Sequence, residues 1–519
     1  MKRALTEIVK SRPEATTLLG LAAAKLLIHL YTNTFASYGI FRDELYYLAC
    51  SHRLDLGYVD HPPLSIFILA VSRILFGDSL FALRLFPAVA GALTVLFAGL
   101  IVRKLGGGTT AILLTGLGMI VAPIHLAMNT VYSMNAFDIL LWTVAAYLLI
   151  SIIENSRPVL WVTLGIVLGL GLLNKISVAW LGAGLFVALV ATPLRAQLRT
   201  RWPYVAGFIS LVLFLPYVLW NIRHDFAHLE FIHNATTMKY ASVSAVDFIL
   251  GQVSVMHPLG VPLCALGLYF LFFTERGKRF RPLGWIFATV ALILILNGHS
   301  KPEYLAPAYA MMFAAGGVQL EIFSRLRSLR WIRIAIPALM VIGGSITAPL
   351  TLPILPVDTY VRYTQRLGLA IESAESHELS VLHQFYADMF GWENLARTVS
   401  EVTAALPPEE RARALVVARN YGEAGAIEYY SRKYDLPPVI SPHNNYWIWG
   451  WERRDEEHSI VIIIGGDAQE HAGQVAEIAQ AATIRCRYCI PYENNLPVFV
   501  GRGLRNSFED IWSSAKTFI

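Results

Sequence analysis

The stretch FRDELYYLACSHRLDLGYVDHPPLSIFIL, residues 41–69, follows one apolar run and slides into another, yet it carries Arg42, Asp43, Glu44, Asp55, Asp60 and His61. Around it the chain is greasy: mean hydropathy is +0.51, with 55% hydrophobic and 15% charged residues. An ordinary soluble protein carries about a quarter charged residues, so the composition indicates a membrane protein. Ionisable groups held at membrane depth are costly and mark function by default. The fold and the chemistry therefore both turn on why these groups sit here.

Composition changes character near residue 357. Residues 1–357 hold 27 Lys+Arg against 15 Asp+Glu, and residues 358–519 hold 15 against 22. An apolar, basic body of 1–357 is thus expected to carry an acidic soluble domain of 358–519. The net charge of +5 sums two unlike parts and gives no reason to expect a nucleic-acid partner. Cys486-Arg-Tyr-Cys489 is a lone C-x-x-C with no second pair for zinc, read as a disulfide or as structural thiols.

A spanning helix needs roughly 20 mostly apolar residues. On that template spans are expected near 16–36, 82–102, 109–127, 133–153, 159–175, 177–193, 203–221, 246–273, 283–298, 303–322 and 332–352. The first of these reads as a retained span, since no small-residue cleavage site follows it. Placing Lys2, Arg3, Lys10 and Arg12 in the cytoplasm also puts inside the basic loops at 103–104, 195–201, 276–281 and 325–333. The loops 37–81, 128–132, 222–245 and 298–303 then lie outside, as does the acidic domain. In that domain ALVVA (414–418) and SIVIIIGG (459–466) read as buried strands and GEAGAIEYYSRK (422–433) as a helix. The expected fold is therefore a polytopic α-helical membrane protein of about eleven spans with an outer α/β domain. No G-x-G-x-x-G or Walker pattern occurs, which argues against an ATP-driven transporter.

The ionisable residues collect on the outer side. Asp43-Glu44 opens a short amphipathic helix on the membrane surface; adjacent residues on a helix point about 100° apart, so only one faces a given site. Asp60-His61-Pro62-Pro63 makes a rigid corner. Arg84 opens the second span, Arg223-His224-Asp225 follows the seventh, and His299 to Tyr304, with Lys301, joins the ninth and tenth. Each has a bland reading as a snorkelling or loop residue. Together, cations, carboxylates and tyrosines suit an anionic lipid head group with a carboxylate handling a proton.

F-R-D-E-x-Y-Y at 41–47, G-Y-x-D-x-P-P-L at 57–64 and L-F-G-D-S-x-F-x-L-R-L at 75–85 resemble the bacterial dolichyl-phosphate-mannose–protein mannosyltransferase-like family. Its relatives include the transferase that adds aminoarabinose to lipid A. Leu173-Asn174-Lys175-Ile176-Ser177, Lys301-Pro-Glu-Tyr304, Tyr421-Gly-Glu-Ala-Gly-Ala and Ser441-Pro-His-Asn-Asn-Tyr-Trp continue the likeness. The resemblance implies a GT-C glycosyltransferase that moves a sugar from a polyprenyl-phosphate donor to a lipid, glycan or protein acceptor. The setting it implies is the outer face of a bacterial inner membrane, with inversion at the anomeric carbon. By the same likeness Asp43 is the general base and Glu44 orients the acceptor. Arg84, Arg223, Lys301 and Tyr304 are the candidates for the donor phosphate, and Tyr46, Asp60 and His61 for substrate contact. Asp60 matches an acid that binds a divalent metal in a relative, with a later-loop histidine such as His228 as partner. No cofactor is asserted beyond that metal, whose presence stays open.

A flippase for a lipid-linked sugar is the alternative. It would need polar residues through the mid-membrane spans, whereas these are nearly free of buried charges apart from Lys25 and Asp138 near span ends and His29 within the first. A reporter fused after residue 519 is expected to be active only outside the cytoplasm; a cytoplasmic signal would overturn the orientation.

Overall fold

The computed structural model describes residues 12–369, 381–451 and 459–519; Lys2, Arg3 and Lys10 lie outside them. The protein divides into two compact units. The first comprises Met1–Ala36, Val71–Leu219 and Ser242–Leu355, and the second Ser37–Ala70, Trp220–Ala241 and Pro356–Ile519.

The first unit is helical. Among the described residues six helices are long and apolar enough to cross a membrane, or up to nine if each of three bent pairs counts as one span. The breaks have local causes. Pro123 stops the run Thr109–Val121, and Pro123–Thr130 leaves at 60°. The expected single span 246–273 is instead two helices, Ala245–Met256 and Gly260–Phe273, bent by 109°. Pro258 lacks an amide proton and restricts its predecessor; His257 takes φ 76°, outside any helix. The expected span 303–322 opens as a tight 3₁₀ turn, Pro302–Ala308, before the α-helix Tyr309–Phe323.

Small residues bring spans together. A Cβ on Gly316 would collide with the Leu263 carbonyl, and one on Gly267 with the Met312 carbonyl. The helices Gly260–Phe273 and Tyr309–Phe323 thus meet backbone to backbone, as membrane helices do where side chains are small. Two of the ionisable residues inside this unit have side-chain partners: Lys25 Nζ donates to the His125 carbonyl at 2.9 Å, and Asp138 Oδ2 accepts from Ser177 Oγ at 3.0 Å.

The second unit is α/β. Its sheet runs β2-β1-β3-β5-β4, with β1 Ala414–Val417, β2 Val439–Ile440, β3 Ile460–Ile464, β4 Val475–Ile484 and β5 Leu496–Leu504. β1 pairs in parallel with β2 and β3, while β5 is antiparallel to β3 and β4. The fully apolar runs of β1 and β3 follow from burial in mid-sheet. Between β1 and β2 runs the helix Tyr421–Tyr434. Cys486 and Cys489 carry free thiols, the Cys489 amide donating to Cys486 Sγ at 3.1 Å.

Residues 42–76 form the helices Arg42–His52 and Leu64–Phe76 on either side of the Pro62-Pro63 corner. The helix Arg42–His52 packs on Tyr421–Tyr434, and two glycines set the approach. A Cβ on Gly425 would stand 2.9 Å from Leu45 Cβ and 3.0 Å from its backbone carbonyl carbon. One on Gly422 would stand 2.8 Å from Arg42 Cγ. The Y-G-E-A-G-A pattern is therefore a packing requirement. Gly425→Val is expected to lower stability by about 2 kcal/mol or more, since overpacking of this kind costs roughly 1–3 kcal/mol. Gly20→Ala, with nothing within 4 Å of its added Cβ, should be near neutral; thermal melts in detergent compare the two.

Candidate catalytic site

Arg42, Asp43 and Glu44 make the first turn of the helix Arg42–His52, where exposed amides favour carboxylates. The two acids part at once. Glu44 is fully buried and its Oε2 accepts the Phe41 amide at 2.9 Å, closing the helix start. Asp43 keeps 39% of its side chain exposed. Its Oδ1 accepts from the Tyr421 hydroxyl at 2.9 Å and lies 3.6 Å from Arg42 Nε. Both contacts use Oδ1, so among the described residues neither engages Oδ2.

Arg42 is the local anchor. It reaches Asp388 at 3.6 Å, bonds the Tyr492 hydroxyl, and lies over the Tyr421 ring at 5.7 Å. Tyr421 in turn is aimed by its own helix start. Asn420 Oδ1 accepts the amides of Gly422 and Glu423 at 2.9 and 3.0 Å, and Asn420 Nδ2 donates to Glu493 Oε1 at 2.8 Å. Arg419 bonds Glu423 at 2.7 Å and the Tyr492 carbonyl at 3.2 Å. A chain of charged and capped groups thus runs from Glu493 to Asp43.

The Pro corner supplies a second carboxylate. The Tyr46 hydroxyl lies 3.0 Å from Asp60 Oδ1 and 3.0 Å from Asn445 Oδ1, and can donate to only one of them. Burial first, then the Asp60 charge, raises the Tyr46 pKa well above its usual 10, so Tyr46 stays a donor. It is buried and works from behind Asp60. His61 is fully buried too, stacked on Tyr47 at 4.6 Å, with Nε2 3.8 Å from Asp60 Oδ1 and otherwise without a hydrogen-bond partner. It is a packed support for Asp60 rather than an exposed cation. Asp55 also has a partner: its Oδ2 accepts the Trp220 indole N–H at 2.8 Å.

His228 is buried with Nδ1 at 2.8 Å from the Val59 carbonyl. Burial lowers its pKa from 6.5, leaving a neutral imidazole at pH 7. Among the described residues no three His, Cys, Asp or Glu side chains come together to hold a metal ion. Asp60 and His228 alone do not fit a resident ion held by the protein.

In the first unit, Tyr304 gathers with Lys175, which was quoted in the sequence pattern without a role. Lys175 Nζ lies 5.4 Å over the Tyr304 ring and donates to Asn135 Oδ1 at 2.7 Å; its charge couples to those of Asp138, Glu303 and Lys301. A lysine flanked by no glycine-rich loop gave no local signal. Arg84 is 1% exposed, in the helix Leu80–Lys104, and its carbonyl accepts from Asn33 Nδ2 at 3.2 Å. Arg223, in the second unit, is exposed and lines a cavity whose walls include neither Asp43 nor Asp60.

Residues 60–220 match the model of the family described as dolichyl-phosphate-mannose-protein mannosyltransferase. The lipid A galacturonosyltransferase RgtD of Rhizobium johnstonii is 25% identical over 278 residues, 52% of this chain and 58% of that protein. An undecaprenyl phosphate-alpha-4-amino-4-deoxy-L-arabinose arabinosyl transferase of Pseudomonas paraeruginosa is 30% identical over 182 residues, 32% of each chain. The chain thus spans little more than half the length of the first relative and about a third of the second. ArnT from Cupriavidus metallidurans, bound to undecaprenyl phosphate, aligns over 92% of this chain and 97% of its own with a TM-score of 0.60 and 12% identity. The oligosaccharyltransferase AglB from Archaeoglobus fulgidus aligns over 87% and 69% with a TM-score of 0.53 and 12% identity. The protein has the GT-C fold of these membrane enzymes, and the relatives it resembles in sequence are glycosyltransferases.

Glu493 offers a test of the network behind Asp43. It is 4% exposed, and burial first, then the neighbouring Glu423, raises its pKa well above 4.5. The folded chain therefore holds a proton that the unfolded chain releases. This stabilisation is complete below about pH 4.5 and is lost as pH rises toward the folded value. Glu493→Gln keeps an acceptor for Asn420 without the charge. Its Tm should stay flatter than that of the parent as pH rises from about 4.5 to about 8, read by melts at each pH.

Proposed function

We propose that this chain is an inverting glycosyltransferase that moves a sugar from a polyprenyl-monophosphate carrier to a hydroxyl of a lipid, glycan or protein acceptor. The reaction is placed at the outer face of a bacterial inner membrane, with the second unit on that side. The observation that carries this reading is Asp43: a part-exposed carboxylate at a helix start, held through one oxygen by Tyr421 and Arg42 and open at the other. The GT-C fold and the sugar-transferring relatives support it.

In the step, Asp43 Oδ2 accepts the proton of the acceptor hydroxyl as that oxygen attacks the anomeric carbon. The bond from that carbon to the carrier phosphate breaks from the opposite face, which inverts its configuration. The leaving group is a phosphate monoester, so no general acid is required; cations need only balance its charge. Lys301 and Lys175, with Tyr304 beside them, are assigned that task, and Arg84 adds a buried positive charge. Glu44 positions Asp43 by capping its helix, Tyr46 and His61 position Asp60, and Asp60 is assigned to hold substrate hydroxyls.

Asp43→Asn should stay folded and membrane-inserted yet lose transfer by about 10²–10⁴-fold, the usual contribution of a general base. Mass analysis of lipids and glycans from cells with and without the protein identifies the product to assay. Wild-type turnover by the variant on that substrate would remove Asp43 from the mechanism.

A further inference from the structure

A cavity of about 730 Å³ in the second unit is lined by Trp447, Trp451 and Trp512 together with Arg223, Asp225 and Lys516. Its size falls within the roughly 300–1,000 Å³ of small-ligand sites. Trp447 and Trp512 each donate the indole N–H to the other's backbone carbonyl, at 2.8 and 3.1 Å. With those donors consumed, Trp447 and Trp512 bring apolar indole surface to the lining, and Lys516 Nζ lies 5.5 Å from the Trp447 ring centre. The rim is ionic. Arg223 and Asp225 are exposed, and Lys516 is fixed by Glu230 at 2.8 Å.

This pairing selects among ligands. The C–H face of a pyranose matches an indole plane, while the hydroxyls around its edge need the donors and acceptors that Arg223, Asp225 and Lys516 supply. An acyl chain would fit the apolar lining but would leave Arg223 and Asp225 at the rim without a polar group to bind. The short helix Asn445–Trp449 also ties the cavity to the Asp60 corner. Asn445 Oδ1 accepts the Val59 amide at 2.7 Å, and Trp447, two residues on, lines the cavity.

We propose that this cavity binds a sugar ring of the acceptor, and so that the acceptor presents a saccharide to the second unit. The proposal rests on the transfer reading above. It moves Arg223 from the donor phosphate to the acceptor.

The full chain in detergent is titrated with a glucosamine disaccharide, in phosphorylated and unphosphorylated forms, by tryptophan fluorescence. Acceptor and donor KM are measured in parallel. Trp451→Leu keeps a smaller apolar side chain and loses the ring; Arg223→Gln shortens the side chain and loses the charge. Saturable binding is expected in the parent and in Asp43→Asn alike. In both cavity variants binding should weaken about tenfold or more, with acceptor KM rising as much and kcat and donor KM little changed. No saccharide binding by the parent, wild-type binding and acceptor KM in both variants, or a rise confined to donor KM would each overturn the proposal. Saccharide binding that the variants weaken, in a protein that transfers no sugar, would uphold the site and sink the transfer reading instead.

Discussion

Leu45 occupies the space that a side chain at position 425 would need. Because Gly425 and Gly422 have none, the helix Arg42–His52 lies directly on the helix Tyr421–Tyr434. Everything at the candidate site depends on that approach. Tyr421 meets Asp43 only at this spacing, and the Arg53 guanidinium meets the Glu428 carboxylate, at 3.0 and 2.6 Å, only if the helices stay in register. A bidentate pair of this kind fixes geometry as well as adding energy. Arg53 also covers the Trp449 ring at 4.4 Å, which carries the constraint to the next helix.

The second consequence concerns charge. Ionisable groups in a greasy setting survive only when paired or hydrogen-bonded. Between Phe41 and Leu69 almost all of them do structural work. Glu44 caps, Arg42 joins Asp388 and Tyr492, Asp55 takes an indole proton, and His61 packs behind Asp60. Asp43 differs among the described residues: Oδ1 is held by Tyr421 and lies near Arg42, and neither contact uses Oδ2. A carboxylate fixed at one end and available at the other has the geometry proton transfer requires.

Much of this protein is legible in one dimension. Hydropathy runs find apolar helices because every lipid-facing backbone group must be satisfied within its own helix, although eleven spans were expected and the described residues hold six such helices, or up to nine with the bent pairs. The β1 and β3 segments are visible because a buried strand is apolar throughout. Breaks are harder to see. Pro258 sits inside an apolar run of 28 residues, and composition alone does not say whether the chain kinks slightly or turns by 109°. The pair β4–β5 was not anticipated, since the half-exposed run of β4 lacks the apolar signature of β1 and β3.

The sequence alone determined the membrane class, because that rests on composition, and its resemblance singled out Asp43; the expected 358–519 domain is joined in the second unit by Ser37–Ala70 and Trp220–Ala241. Only the tertiary structure decided which of two adjacent carboxylates faces outward. It also decided that Arg42 is an anchor, that His61 is sealed, that Lys175 belongs with Tyr304, and that Tyr421 holds a carboxylate 378 positions away. The reason is physical. A residue's type sets what it can donate, accept or bury, while its partner is chosen by packing between segments far apart in the chain. At this site two absent side chains, at 422 and 425, make that packing close enough.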